Sequence, residues 1–237
     1  WSSDVCSSDL ARPIKLALDR VSPNRHDRRW LARDYRSTRQ GWRLAERWRV
    51  VERDTETMRE AEVAPDRIGP APRLVVEADQ AAAIAALVDR VVDAATTTNL
   101  GMIGIVHLGA DTGGAIVDAL RRRHVDAVAI DGKEEVRYAD AVVKVVSMRR
   151  SKGLDFPSLF ILLPERQDAS RDPITWTDRE LSLEARRVLY VAATRASRQL
   201  VLVTSINAPH PLLEELDHSS YRVEGTRGGE WRRRVGG

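Results

Sequence analysis

Short apolar runs alternate with amphipathic stretches along most of the chain. The apolar runs, most of them rich in Val, Ile and Leu, are typical of buried strands, and the stretches between them repeat apolar residues at the spacing of an amphipathic helix. Strands that alternate with helices predict an α/β domain with a parallel sheet covered by helices. The predicted strands are residues 29–35, 73–77, 102–108, 125–130, 141–147, 158–163 and 199–204.

The predicted helices lie between these strands. One begins at Ser37 in the stretch STRQ, which has the form of a capping box, and is expected to run to about residue 62, before Pro65. Asp79 is expected to cap the next helix, and its carboxylate would accept a hydrogen bond from the first turn. The remaining predicted helices are residues 112–123 and 184–196.

The chain is expected to be a fragment with one main domain. Its 237 residues, 43% of them hydrophobic, can fill a sizeable core. Residues 1–10 (WSSDVCSSDL) have no periodicity and resemble translated sequencing adapter, so they are interpreted as an artefact; a disordered Ser-rich terminus is the alternative. Residues 11–28 are the end of a preceding domain or a linker, and residues 29–217 are the main domain. The polar tail, residues 218–237, contains an isolated Trp231 and is expected to fray.

Composition excludes some classes of site and leaves others open. The 38 basic residues against 35 acidic ones give a net charge of only +3, and only four of the basic residues are Lys, so charge alone decides little about nucleic-acid binding. The single Cys6 excludes an internal disulfide and a Cys-rich metal site, and the five His residues have no metal-ligand spacing. No apolar run approaches the roughly 20 residues of a membrane span, and the predicted location is cytoplasmic.

The glycines of residues 108–117 (LGADTGGAIV) lie between a predicted strand and a predicted helix. They lack the Gly-Lys-Ser/Thr sequence that holds phosphates and magnesium in a phosphate-binding loop. This stretch is therefore interpreted as an ordinary strand-to-helix turn.

Three basic motifs follow one another at strand ends or on adjoining helices. They are residues 34–38 (DYRST), 147–157 (SMRRSKGLDFP) and 184–196 (EARRVLYVAATRA). In an open parallel sheet, ligands bind outside the carboxyl ends of the strands, so we expect the motifs to converge on one edge as a phosphate-binding surface.

These motifs resemble motifs IV, V and VI of the UvrD/Rep-like superfamily 1 helicases, which have the forms NYRST, TxHxxKGLEF and ExRRLxYVxxTRA. The resemblance covers roughly residues 29–216. It implies the second RecA-like motor domain, an α/β fold of the P-loop NTPase type that lacks the Walker A half. About ten residues separate the strands that end at Ile130 and begin at Ala141, which is similar to the compact members of the family.

The resemblance assigns two arginines to ATP. Arg195 corresponds to the arginine that reaches the γ-phosphate of ATP held by the first motor domain, and Arg36 corresponds to a second such arginine. A planar, permanently charged guanidinium suits the charge that spreads over the phosphoryl oxygens during transfer. The alternative for Arg195 is a cation that complements the dipole at the end of a helix.

The resemblance also assigns the second motif to nucleotide and DNA. Gly153 could approach a phosphate closely, and Asp155 stands where the family has a Glu that contacts the nucleotide; its side chain is one methylene shorter. Ser147 and Arg149 replace the Thr and His that face the path of single-stranded DNA, and an arginine there keeps a phosphate contact possible.

The resemblance therefore implies the C-terminal motor domain of an ATP-dependent 3′–5′ DNA helicase. Its partners would be single-stranded and duplex DNA and the N-terminal RecA-like domain of the same protein, which would hold most of the contacts to ATP and Mg²⁺. The fragment alone is predicted to be inactive. Two alternatives stay open, a non-catalytic nucleic-acid or partner-binding module and part of a helicase-nuclease.

Overall fold

The computed structural model describes residues 37–50, 64–108, 112–130, 140–151, 154–163, 178–207 and 209–236. They all belong to one unit, Arg33–Gly237, and every structural statement below concerns these residues. The strand predicted at residues 29–35 and the segments predicted at residues 1–28 lie outside them, and the domain boundaries stay predictions.

A seven-stranded sheet forms the centre of the unit, and all of its neighbouring strands pair in parallel. The strands are β1 (Arg73–Glu77), β2 (Ile103–His107), β3 (Ala127–Ile130), β4 (Val143–Ser147), β5 (Phe156–Leu162), β6 (Ala196–Ser205) and β7 (Arg222–Glu224), in the order β3-β4-β2-β5-β6-β1-β7. Strands of a parallel sheet are buried on both faces, which explains their continuous apolar runs. The predicted α/β class is confirmed.

Five helices among the described residues cover the sheet. They are α1 (Arg39–Ala45), α2 (Gln80–Ala95), α3 (Thr112–Arg122), α4 (Asp178–Ala193) and α5 (Gly228–Val235). Helices α1, α4 and α5 bury Leu44, Leu189 and Trp231 in one core. Helices α2 and α3 bury residues such as Leu87 and Ile116 in a second core. The sheet thus lies between two layers of helices.

The sequence predicts α2 closely. The Asp79 carboxylate accepts a hydrogen bond from the backbone N–H of Ala82 at 2.8 Å, as expected of an N-cap. Ala83, Leu87 and Val91 are buried and recur every four residues, so the helix presents one apolar face to the sheet.

The first helix is shorter than predicted and is capped by a different residue. Thr38 accepts a hydrogen bond from the N–H of Gly41 at 3.1 Å, whereas Ser37 was the expected cap. The helix ends at Ala45 and passes into a 3₁₀ turn, Glu46–Trp48, instead of continuing towards residue 62. Trp48 is fully buried and donates its indole N–H to the carbonyl of Leu212 at 2.9 Å, which fixes this end in place. Residues 51–62 lie outside the described residues.

The expectation that the C-terminal tail frays is wrong. Its residues form the strand β7 and the helix α5, and β7 pairs with β1. Trp231 is fully buried and donates its indole N–H to the hydroxyl of Tyr221 at 3.2 Å. The local sequence is polar, and the segment is ordered by burial of this one large side chain and by strand pairing.

Candidate functional site

The predicted site residues that the structure describes lie on opposite edges of the sheet. Asp155 and Arg195 immediately precede β5 and β6, so they lie at the amino edge, whereas Ser147 ends β4 at the carboxyl edge. Ser147 is in register with Leu162 through β2, and Asp155 lies seven residues earlier on that strand, roughly 20 Å away along it. The expectation that all three motifs converge on the carboxyl ends is therefore wrong. Helix α4 returns the chain to the start of β6 and so delivers its last residues to the amino edge.

Asp155 and Arg195 form an ion pair at this amino edge. The guanidinium Nη1 of Arg195 lies 3.0 Å from Oδ1 of Asp155, and the two side chains are 19% and 47% exposed, respectively. The backbones are joined as well, since the N–H of Phe156 donates to the carbonyl of Arg195 at 3.2 Å. The second and third motifs therefore meet at the start of β5 and β6.

The threonine that precedes Arg195 fixes the turn. Its hydroxyl lies 3.0 Å from the carbonyls of both Tyr190 and Val191, and the N–H of Arg195 donates to the carbonyl of Ala192 at 3.0 Å. The carbonyl of Tyr190 also accepts the backbone N–H of Thr194 at 3.0 Å, and the other bonds supply donors to the carbonyls of Val191 and Ala192 at the end of α4. Thr194 therefore has a structural role, and it holds the backbone of Arg195 in one position.

Ser37 joins the first motif to the third. Its hydroxyl donates to the carbonyl of Thr194 at 2.7 Å, and the residue is fully buried. Sequence reasoning assigned Ser37 to a helix cap and missed this bond, because no local signal reveals a contact between residues 157 positions apart. Arg36, the preceding residue in the chain, lies outside the described residues.

A buried lysine stabilises the same edge further along the sheet. Lys144 on β4 is 1% exposed, and its Nζ donates to the carbonyls of Gly101 and Asp140, each at 3.3 Å. Burial lowers the pKa of Lys144, and the Asp140 carboxylate opposes the shift. Lys144 thus links the turns before β2 and β4, a structural role that its position in an apolar strand did not predict.

The predicted DNA-facing residues follow β4. Ser147 is partly buried, pairs with His107 of β2 and begins the 3₁₀ turn Met148–Arg150, which contains Arg149. Gly153 lies outside the described residues. The structure thus brings together parts of all three motifs at the amino edge and places Ser147 at the opposite edge.

Within the described ranges, no group of three or more His, Cys, Asp or Glu residues could hold a metal ion. In the same part of the chain, none of the helices has the length and apolar character needed to cross a membrane.

Comparisons with known proteins agree with this architecture. Residues 108–207 match the family model of the UvrD-like helicase C-terminal domain. The crystal structure of the C-terminal domain of a possible DNA helicase from Lactobacillus plantarum WCFS1 is 21% identical, with a TM-score of 0.57 over 80% of this chain and 98% of that one. An arterivirus nonstructural protein 10 helicase in complex with DNA is 13% identical, with a TM-score of 0.41 over 65% of this chain and 35% of that one. No match was found among curated proteins.

These findings confirm the predicted similarity to UvrD-like helicases and the RecA-like fold. The family match covers the second and third motifs, from the residue after β2 to just beyond the end of β6. It supports a helicase motor domain.

Proposed function

We propose, from the UvrD-like helicase C-terminal domain that residues 108–207 match, that this chain is the C-terminal motor domain of an ATP-dependent 3′–5′ DNA helicase. Arg195 and Arg36 contact the γ-phosphate of ATP, which the N-terminal motor domain of the same protein holds together with Mg²⁺. The observation that carries the proposal is the fixed position of Arg195. In the first motif, Ser37 donates a hydrogen bond to the carbonyl of Thr194, the residue before Arg195. In the second motif, Asp155 forms an ion pair with Arg195 itself.

This position suits an arginine that stabilises a phosphoryl-transfer transition state. The backbone of such a residue must be held in place, so that its guanidinium reaches the transferred phosphoryl group from a defined point. The N–H and carbonyl of Arg195 are both hydrogen-bonded, while its side chain stays partly exposed. Arginines in this role contribute roughly 10³ to 10⁵ in rate.

The rest of the nucleotide site is assigned to the N-terminal domain. The sequence has no phosphate-binding loop, and the described residues offer no acidic cluster for Mg²⁺. Gly153 and Asp155 would approach the nucleotide from this domain, and the N-terminal domain would supply the metal ligand and the residue that activates water.

The opposite edge of the sheet is assigned to single-stranded DNA. Ser147 and Arg149 come at the end of β4 and in the following turn, and Ser147 lies roughly 20 Å along the strands from Asp155. This separation supports a division of labour, in which closure of the two motor domains on ATP moves the DNA-facing edge. A hydroxyl and a guanidinium are both suited to phosphate oxygens.

The test of the nucleotide role uses the intact protein with both motor domains. We expect Arg195→Ala to lower kcat for DNA-stimulated ATP hydrolysis by roughly 10³-fold or more and to change nucleotide affinity little. Arg198→Ala is the matched control, because Arg198 is an exposed arginine on β6, three residues after Arg195. Unchanged kcat with weakened affinity would remove Arg195 from the transition state. A substantial ATPase activity of this chain alone, abolished by Arg195→Ala, would instead refute the assignment of the rest of the nucleotide site to the N-terminal domain.

The test of the DNA role is the salt dependence of binding. Arg149→Ala should weaken binding of single-stranded DNA and reduce the slope of log K against log salt by roughly 0.7, as expected for the loss of one phosphate contact. Arg123→Ala, which removes an exposed arginine elsewhere, controls for net charge. Equal slopes for the wild type and Arg149→Ala would exclude Arg149 from the DNA path.

A further inference from the structure

The ion pair at the amino edge places the negative charge of Asp155 beside Arg195, the side chain that is proposed to bind phosphate. Asp155 Oδ1 lies 3.0 Å from Nη1 of Arg195. We propose that Asp155 is a latch, a positioning residue that holds the Arg195 side chain until the terminal phosphate of a nucleotide displaces it. The inference rests on the proposed function, and it gives Asp155 a different role from the nucleotide contact that the family resemblance implies.

Competition for the same donor is the first physical argument. Nη1 of Arg195 donates to Oδ1 of Asp155, so a phosphate oxygen that binds through Nη1 must displace the carboxylate, and one that binds through the other N–H donors of the guanidinium must lie close to it. A triphosphate and a carboxylate also repel each other at short range. Binding of phosphate to Arg195 is therefore coupled to release of Asp155.

The backbone contacts make this exchange local. The N–H of Arg195 is bonded to Ala192 and its carbonyl to Phe156, so both bonds can persist while the side chain changes partner. Exchange then needs only rotation about side-chain bonds. The short side chain of Asp155 reaches Arg195 because the starts of β5 and β6 are paired at this point.

Solvent exposure makes the latch weak enough to open. The Asp155 side chain is 47% exposed and that of Arg195 is 19% exposed, so water and salt reach the pair from the Asp155 side and screen it in part. Exposed pairs change binding equilibria by about two- to fivefold. The latch therefore raises the phosphate concentration that is needed for binding to Arg195, but it does not prevent that binding.

The two roles of Asp155 predict effects of opposite sign. If Asp155 contacts the nucleotide directly, its neutralisation weakens binding. If it is a latch, Asp155→Asn frees Arg195 and strengthens the binding of phosphate to it.

The first experiment tests whether the pair forms in solution. This chain is labelled with phenylglyoxal, which modifies arginine, and the rate at Arg195 is followed by mass spectrometry. We expect Asp155→Asn to be labelled about two- to fivefold faster and Asp155→Glu to stay close to the wild type. Asp89→Asn is the matched control, because it removes an exposed carboxylate paired with Arg123 and should leave the rate at Arg195 unchanged. Equal rates in the wild type and Asp155→Asn would overturn the latch.

The second experiment measures protection of Arg195 from labelling by inorganic tripolyphosphate, at constant ionic strength and with Arg198 as the internal reference. The latch predicts half-protection at an about two- to fivefold lower concentration in Asp155→Asn than in the wild type. Equal or weaker protection in Asp155→Asn would overturn the latch and leave the phosphate contact of Arg195 intact. Absence of selective protection in every variant would overturn the latch too, and would count against the proposed function itself.

Discussion

Two carboxylates at opposite ends of the sheet show how similar groups acquire different roles. Asp155 precedes β5, is about half exposed and pairs with the side chain of Arg195. Glu77 ends β1, is 7% exposed and accepts hydrogen bonds from the backbone N–H of Thr226 at 3.2 Å and from its hydroxyl. A buried carboxylate held by two donors is costly to disturb, whereas an exposed one can exchange partners. Burial and donor number thus separate a structural carboxylate from an exchangeable one.

The surroundings of Glu77 extend the contrast. The carboxyl end of β1 is closed by the C-terminal segment, residues 209–236. The N–H of Arg227 donates to the carbonyl of Val76 at 3.0 Å, and Gly225 has a positive φ of 93°. A Cβ at Gly225 would lie 2.4 Å from the carbonyl oxygen of Val76, so only glycine fits there. This end is packed against its own chain, while the side chains of Asp155 and Arg195 stay partly exposed at the other.

Loss of Trp231 should produce the largest effect, because the closed end depends on it. Trp231→Ala removes a fully buried indole and is expected to lower the free energy of unfolding by about 3 to 5 kcal/mol, measured by denaturant titration of this chain. Trp42→Ala is the control, because Trp42 is only partly buried and its loss should cost less. A change below about 0.5 kcal/mol for Trp231→Ala would mean that the segment is not packed in solution.

A comparison of β1 and α2 with the C-terminal segment shows where prediction from the sequence succeeds and where it fails. The strand β1 and the helix α2 are predicted closely, because a continuous apolar run and a capped period of 3.6 are local signals. Strand β7 has three residues and α5 has eight, so their order depends on pairing with β1 and on Trp231, neither of which has a local pattern.

The candidate site follows the same rule. The family resemblance predicts that Arg195 and Asp155 belong to one nucleotide site. Their pairing depends on the register of β5 and β6, in which Phe156 lies opposite Ala196. The Ser37–Thr194 bond likewise depends on how the first helix packs beside α4, and residue spacing does not encode that packing.

Acid should weaken the C-terminal segment through His210. The Nδ1 of His210 accepts a hydrogen bond from the N–H of Leu212 at 3.3 Å, and burial lowers the pKa of His210 from 6.5 to about 4, while Glu215 opposes the shift. The unfolded chain binds the proton more readily, so the stability that neutral His210 provides is complete above pH 6.5 and is lost as the pH falls towards 4. The full loss is about 3 kcal/mol.

His210→Asn isolates this effect, because asparagine offers an oxygen acceptor at the cap and does not titrate. The difference in free energy of unfolding between wild type and His210→Asn should shift by about 2 to 3 kcal/mol against the wild type between pH 7.5 and pH 4.5. His124→Asn, at an exposed histidine, is the matched control. A difference for His210→Asn that does not vary with pH would contradict the assignment.

The hydroxyl of Thr226 should matter less. Thr226→Val keeps the shape of the side chain and removes one of the two donors to buried Glu77, so we expect a loss of about 1 to 3 kcal/mol in the free energy of unfolding. The control is Thr96→Val, where the exposed hydroxyl donates to the carbonyl of Asp93 at the end of α2. If both substitutions lower the free energy of unfolding by the same amount, the hydrogen bond to Glu77 stabilises the fold no more than an exposed one does.

The smallest effect is expected at the exchangeable carboxylate. Asp155→Asn should change the free energy of unfolding by no more than about 0.5 kcal/mol, because the Asp155 carboxylate is about half exposed and its ion pair gains little over its own hydration. Denaturant titration beside Asp89→Asn, which breaks another exposed pair, measures this directly. A cost equal to that of Thr226→Val would make Asp155 a structural clamp like Glu77, and the contrast between the two ends would fail. A small change in stability together with faster labelling of Arg195 would be the combination that a latch requires, since a group that must release its partner on phosphate binding cannot also be needed to hold the fold.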